Sequence, residues 1–304
     1  MTRIIFLGTP DAAVSALAAL TGEFDVGLVL TQPDRPKGRS GTPKAPPVKM
    51  FALDAELAVA QPSTSAELAS AITAAGNFDV GVVVAYGRIL DSGVLALPMA
   101  GFLNVHFSLL PRWRGAAPVE RALMAGDTMI GVTVIKIDEG LDTGPVLTAQ
   151  AVDVFPDENG GDLTDRLADL GARLIVTVLP GYMDGLVVPV SQSEEGATYA
   201  HKISTEDRLL FTSSSADDFV NRVRALAPNP AATIEIDGHS HKVLEARRSN
   251  HVPVAGTWVV VDSVPVLGVG GEGVELVLLQ PSGKRAQSGA DWVRGRQRKA
   301  GVVS

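Results

Sequence analysis

The stretch from Asp79 to Leu90, DVGVVVAYGRIL, limits the folds open to this chain more than any other. Its continuous apolar centre has neither the alternation of a half-exposed strand nor the spacing of a helical stripe, so it reads as a strand buried on both faces of a parallel sheet. That strand leaves the sheet near Tyr86 and Gly87. Arg3 to Gly8 and Val26 to Leu30 repeat the pattern with a helix expected over Ala12 to Leu20 between them. The alternation predicts an α/β domain. The turn Gly8-Thr9-Pro10-Asp11 holds one glycine where a dinucleotide site wants G-x-G-x-x-G, which argues against a nicotinamide enzyme. Further helices are expected over Met50 to Val59, Ser65 to Ala75, Val119 to Ala125 behind Pro118, and Leu163 to Leu179.

In an open α/β sheet ligands collect at the carboxyl ends of the strands, and the next strand, Leu103 to Phe107, carries polar side chains there. Its period of two sends Asn104 and His106 to one face. A lone His is more often a satisfied core or surface residue, but a further strand, Val132 to Ile137, runs into the turn Asp138-Glu139-Gly140-Leu141-Asp142-Thr143-Gly144. A carboxylate held in that Gly-flanked turn can return beside His106. Such a set divides its labour. The imidazole titrates near neutrality, a neighbouring carboxylate favours its charged form and orients it, and the Asn amide donates to a developing oxyanion without titrating. The arrangement suits transfer of an acyl group between amines, with no Ser or Cys nucleophile. Asp138 and Glu139 crowd Asp142, but no other carboxylate cluster supports a cation site, and no metal is expected.

With 304 residues, 46% of them hydrophobic, the chain can bury one large domain and a smaller one. It has no cysteine, so neither a disulfide framework nor a thiolate zinc site is available, which suits a reducing compartment. No apolar run reaches the length of a membrane span, the N-terminal one is too short for a signal peptide, and the expectation is a soluble cytoplasmic protein without membrane contact. A net charge of -8 speaks against nucleic acid, yet the charge is uneven. Arg35, Lys37, Arg39, Lys44 and Lys49 crowd one segment; Lys284, Arg285, Arg294, Arg296, Arg298 and Lys299 crowd the C-terminus. The first group falls in Thr31 to Pro47, too rich in Pro and Gly for helix or strand, and a solvated loop and a binding loop are equally good readings of it.

After Gly185 the chain changes character. Residues 1–185 are expected to form the first domain, 186–204 a linker without periodicity, and 205–304 a second domain. The latter shows a helix near Ala216 to Leu226 and short strands at Ala232 to Ile236, His241 to Ala246, Gly256 to Val261, Val264 to Gly268 and Val274 to Gln280, which suggests a small barrel. Gly268 to Gly273, GVGGEG, lacks the Lys-Ser/Thr of a phosphate loop and reads as a hairpin turn. His239 and His241 mimic a metal pair but have no third ligand, and both are expected to be exposed.

Asn104-Val105-His106, Ser108-Leu109-Leu110-Pro111, Arg112-Trp113-Arg114-Gly115-Ala116-Ala117-Pro118 and Gly140-Leu141-Asp142-Thr143-Gly144 together resemble the folate-dependent formyltransferases. Within them the branch acting on methionyl initiator tRNA is the most similar, from Arg3-Ile4-Ile5-Phe6-Leu7-Gly8-Thr9-Pro10-Asp11 to Leu279-Gln280-Pro281-Ser282-Gly283-Lys284. The resemblance implies a Rossmann-like catalytic domain with a C-terminal OB-like β-barrel, 10-formyltetrahydrofolate as formyl donor, and the α-amino group of methionine on initiator tRNA as acceptor. It implies catalysis by Asn104, His106 and Asp142. It also implies folate contact by Ser108, Leu109, Leu110, Pro111, Val84, Tyr86, Gly87, Ile89 and Leu141, and tRNA contact by Arg35, Lys37, Arg39, Lys44, Lys284 and Arg285, in a monomer.

Rival readings stay open. The same core serves formyltransferases acting on a sugar nucleotide or on glycinamide ribonucleotide, and hydrolases that give the formyl group to water. A non-catalytic RNA-binding module is the reading from a different class. The basic loop and the basic C-terminus favour tRNA.

Overall fold

The computed structural model describes residues 1–36 and 43–303. Its backbone contacts divide the chain into two compact units, Met1–Ala116 with Ile130–Val152 and Thr164–Ala200, and Ala117–Met129 with Asp153–Leu163 and His201–Ser304.

The first unit is built on β1 (Arg3–Gly8), β2 (Asp25–Leu30), β3 (Val59–Ala60), β4 (Val80–Val84), β5 (Phe102–His106), β6 (Met129–Lys136) and β7 (Val146–Asp153), in the sheet order β7-β6-β5-β4-β1-β2-β3. The pairs β1–β2, β1–β4, β2–β3 and β4–β5 are parallel, and β5–β6 is antiparallel. Every residue of β4 is buried, as its unbroken apolar run requires. One face packs Ile5, Leu7, Leu28, Leu30, Val83 and Phe102 against Leu68 and Ile72 of a helix at Ser65–Ala74. Thr64 caps that helix by accepting from the Glu67 amide at 3.1 Å, while Glu67 accepts from the Ser63 amide at 2.7 Å.

Several expectations need correction. The basic segment is not wholly irregular, because Arg35 and Pro36 pair antiparallel with Lys44 and Pro43 in a two-rung ladder. A helix forms over Pro47–Asp54, not Met50 to Val59: Pro47 fits its first turn, where a missing amide costs nothing, and Glu56 at φ 56 lies beyond its end. Val59 belongs to β3. Strand β7 was not anticipated, since half its residues face solvent and its pattern is blurred at the sheet edge. The stretch 186–200 lies with the first unit, where Tyr199 and Ala200 pair with Arg114 and Gly115 and Val190 bridges Val146.

In the second unit β8 (Ala232–Ile236), β9 (His239–Ser249), β10 (Thr257–Val261), β11 (Val264–Val269), β12 (Glu272–Pro281) and β13 (Ala300–Val302) run in the order β8-β9-β12-β11-β10-β13. The register of β9 against β12 slips between Val243 and Ala246, the kind of bulge that curls a sheet. An antiparallel bridge between Ile236 and Val303 then joins its two ends. The interior packs Trp258, Trp292, Leu267, Val274 and Leu276 against Phe219 and Val223 of a helix at Ala216–Leu226. Gly270 and Gly271, at φ 57 and 83, make the expected hairpin turn. His239 is exposed but His241 is not, being 2% accessible. Its Nδ1–H donates to the His239 carbonyl at 2.7 Å and its Nε2 accepts from Trp292 Nε1 at 3.1 Å.

Candidate active site

The side chains singled out in β5 sit next to the parallel strand β4, Val83 pairing with Asn104. On the other side β6 is antiparallel, with Thr133 opposite His106 and Lys136 opposite Leu103. The turn after β6 therefore starts beside the amino end of β5 and folds back to deliver Asp142. Asp138 closes that turn, its Oδ1 accepting from the Gly140 amide at 3.0 Å and the Thr143 hydroxyl at 2.8 Å. Gly144 approaches so closely that an added Cβ would meet the Lys136 carbonyl at 1.8 Å. Asp142 adopts φ 53, a left-handed conformation that Asp tolerates better than most residues.

The Asp142 carboxylate is the hub. Its Oδ1 accepts from Asn104 Nδ2 at 3.2 Å, its Oδ2 accepts from the Gly115 amide at 2.8 Å, and His106 Nδ1 lies 3.6 Å from Oδ2. His106 is 5% accessible, and its Nε2 faces the Trp113 carbonyl at 2.8 Å. A carbonyl only accepts, so Nε2 carries the proton and Nδ1 is the nitrogen turned toward the carboxylate. One Asn104 N–H is spent on Asp142 and the second is left for a ligand. The group can thus hold a proton at Nδ1, balance its charge with a carboxylate, and offer one oriented amide donor.

The wall beneath is self-contained. Ser108 is fully buried, and its hydroxyl donates to the Arg112 carbonyl at 2.6 Å. Thr133 donates to the Ser108 carbonyl at 2.7 Å and accepts from the Leu110 amide at 3.2 Å. Leu109, Leu110 and Pro111 are half-buried, with a cis peptide bond before Pro111. Of the other folate candidates, Val84 and Tyr86 point into the core, and the Tyr86 carbonyl accepts from the Thr9 hydroxyl at 3.0 Å. Ser108 spends its hydroxyl inside the protein and Val84 is apolar and buried, whereas the buried Tyr86 hydroxyl has no hydrogen-bond partner among the described residues. Ile89 and Leu141 are 79% and 47% accessible, and Gly87, at φ 84, is exposed.

Among the basic candidates, Arg35 and Lys44 are exposed partners across the short ladder, while Lys37 and Arg39 lie outside the described residues. Lys284 and Arg285 are exposed on the turn after β12. Among the described residues no group of His, Asp and Glu could hold a metal ion, and no helix is long and apolar enough to cross a membrane.

Sequence reading missed Arg114 and Gln192. Arg114 is 1% accessible, yet its guanidinium takes both Glu194 oxygens at 3.0 to 3.1 Å and Gln192 Oε1 at 3.0 Å. The Glu194 carboxylate, ahead of any other cause, strengthens the hold of Arg114 on its proton. An Arg inside an apolar motif could have raised suspicion, but Gln192 sits in a stretch with no periodic signal.

A family model described as formyl transferase matches residues 2–179, and one described as formyl transferase, C-terminal domain, matches residues 202–297. Curated relatives include a methionyl-tRNA formyltransferase of Halorhodospira halophila, 46% identical over 97% of this chain and 96% of that protein. Another, from Neisseria gonorrhoeae, is 42% identical over 99% of both. Among solved structures, an N-formyltransferase from Helicobacter canadensis, in complex with folinic acid and dTDP-3-aminofucose, superposes with a TM-score of 0.69 at 16% identity, covering 92% of this chain and 100% of the other. HypX from Aquifex aeolicus in complex with tetrahydrofolic acid gives 0.65 at 15%, covering 96% of this chain and 46% of that one. These two likenesses concern the fold alone.

Proposed function

This chain belongs to the formyl transferase family, and from that premise we propose that it moves the formyl group of 10-formyltetrahydrofolate to the α-amino group of methionine on initiator tRNA. The observation that supports this most is the bridging Asp142 carboxylate, bonded to Asn104 and facing His106. The methionyl amine attacks the formyl carbon, a C–N bond forms, and the carbonyl oxygen becomes an oxyanion. The remaining N–H of Asn104 donates to that oxyanion, and the charged imidazole beside it adds to the stabilisation. Asp142 takes the proton that leaves the amine while His106 Nδ1 gives one to N10 as the C–N10 bond breaks, and the aspartate then returns a proton to the imidazole. No covalent enzyme intermediate is needed.

The exposed apolar pair Ile89 and Leu141, with the open backbone of Gly87, suits the flat ring of the folate, and Leu109 to Pro111 shape the wall below. Val84 and Ser108 contribute main chain at most. Arg35, Lys37, Arg39 and Lys44 serve the acceptor end of the tRNA, and Lys284 and Arg285 serve its phosphates from the C-terminal part. Catalysis is assigned to residues 1–185 together with the strap up to Ala200 that pairs with Arg114 and Gly115, and tRNA binding to the OB-like residues 205–304, in a cytoplasmic monomer. The test is formyl transfer to methionyl initiator tRNA against methionyl elongator tRNA, with formate release scored without any acceptor. Preferred transfer to the initiator supports the reading; formate alone, or no tRNA dependence, refutes it.

A further inference from the structure

We propose that Gln192 is a positioning residue for this chemistry, an inference that rests on the roles given above to Asn104, His106 and Asp142: its side-chain amide ties the turn carrying Asp142 to the buried segment around Arg114. Its Nε2 donates to the Asp142 carbonyl at 2.8 Å and to the Gly144 carbonyl at 2.7 Å. Its Oε1 accepts from Arg114 Nε at 3.2 Å and from Nη2 at 3.0 Å. Both donors and both lone pairs of the amide are used inside the protein, so its orientation is fixed.

What those bonds hold explains their value. Arg114 lies between Trp113, whose carbonyl faces His106 Nε2, and Gly115, whose amide donates to Asp142 Oδ2. Gln192 is thus bonded to both segments that set the imidazole and the carboxylate. Asp142 also sits at φ 53, a left-handed backbone state that the bonds to its own carbonyl and to that of Gly144 help to hold. The strap bearing Gln192 is anchored at Val190 by the bridge to Val146 and at Thr198 by three bonds: its hydroxyl accepts from the Trp113 amide at 2.9 Å, its carbonyl accepts from the Arg114 amide at 2.9 Å, and its amide donates to the Pro111 carbonyl at 3.3 Å. Glu194 also reaches Arg114, but its side chain is 77% exposed and bonds to neither Asp142 nor Gly144, so it is the lesser contributor.

Gln192→Ala removes both halves of the clasp. Gln192→Glu keeps an acceptor for Arg114 and loses the donors to the two carbonyls. Each variant is expected to lower kcat by on the order of a hundredfold, the cost of misplacing a catalytic group by about 1 Å, with KM for both substrates within about twofold. In an Asp142→Asn background Gln192→Ala is expected to cost less than about threefold more, since its effect passes through the aspartate. Equal losses in both backgrounds would overturn the proposal. A crystal structure of Gln192→Ala is expected to show the Gly115–Asp142 contact broken, and its retention would overturn the proposal as well. That structure reads Gln192 without any activity, so a wild-type protein that fails to formylate tRNA refutes the functional reading alone.

Discussion

Asp142 is central to the proposed site because one carboxylate meets an amide, an imidazole and a backbone N–H, and the glycine that supplies the N–H is itself constrained. Gly115 sits at φ 119, and a Cβ there would meet the Ala200 carbonyl at 2.8 Å. Gly115→Ala is therefore expected to cost about 1–3 kcal/mol of stability and to lower kcat with it, because the N–H on Asp142 must shift. Gly185→Ala, at φ 70 with nothing near the new methyl, is the control: about 1 kcal/mol lost and kcat unchanged, read by thermal melting and steady-state rates. Asn104 and His106 were legible because period two places them on one face of a strand beside a buried parallel one. Asp142 was legible from its glycine-flanked turn. Gln192 was not, because its meaning arises from bonds to residues 48 to 78 positions away.

At the scale of elements, local pattern served where an element's own residues determine it and failed where distant packing does. Strand β4 needed nothing beyond its apolar run. Strand β7, at the edge, and the short ladder of Arg35 with Lys44 needed partners that no local pattern announces. His241 failed differently: an alternating His pair at a strand edge looked solvated, but the curl of the sheet encloses the second member beside Trp292. Burial, ahead of all else, lowers its proton affinity, with Arg296 and His239 pushing the same way and the His239 carbonyl and Asp237 opposing. A base weakened by folding binds more protons when unfolded, so its stabilisation is complete above its unfolded pKa of about 6.5 and is lost as pH falls below it. Melting of the intact chain, followed by near-ultraviolet circular dichroism, is expected to drop between pH 7.5 and pH 5, on the order of the histidine reference range. His241→Gln, which can still accept from Trp292, should remove that part of the slope, and an unchanged slope would refute it.

At the scale of the whole chain, two family models and relatives above 40% identity span nearly its full length, which accounts for how much a motif-level reading could reach. The split into units was harder to read, since Ala117–Met129 and Asp153–Leu163 are grouped with the C-terminal residues although they precede them by many positions. An acidic protein that holds tRNA must do so through local basic surface. Lys284→Ala is accordingly expected to weaken binding of methionyl initiator tRNA and to reduce the slope of log K against log salt by about 1, read by filter binding at several salt concentrations. The most direct test of the account is single-turnover formyl transfer from 10-formyltetrahydrofolate to methionyl initiator tRNA, wild type against Asp142→Asn. The expected result is transfer by the wild type and a loss on the order of a hundredfold or more in the variant, with tRNA affinity retained. A variant as fast as the wild type would contradict the account.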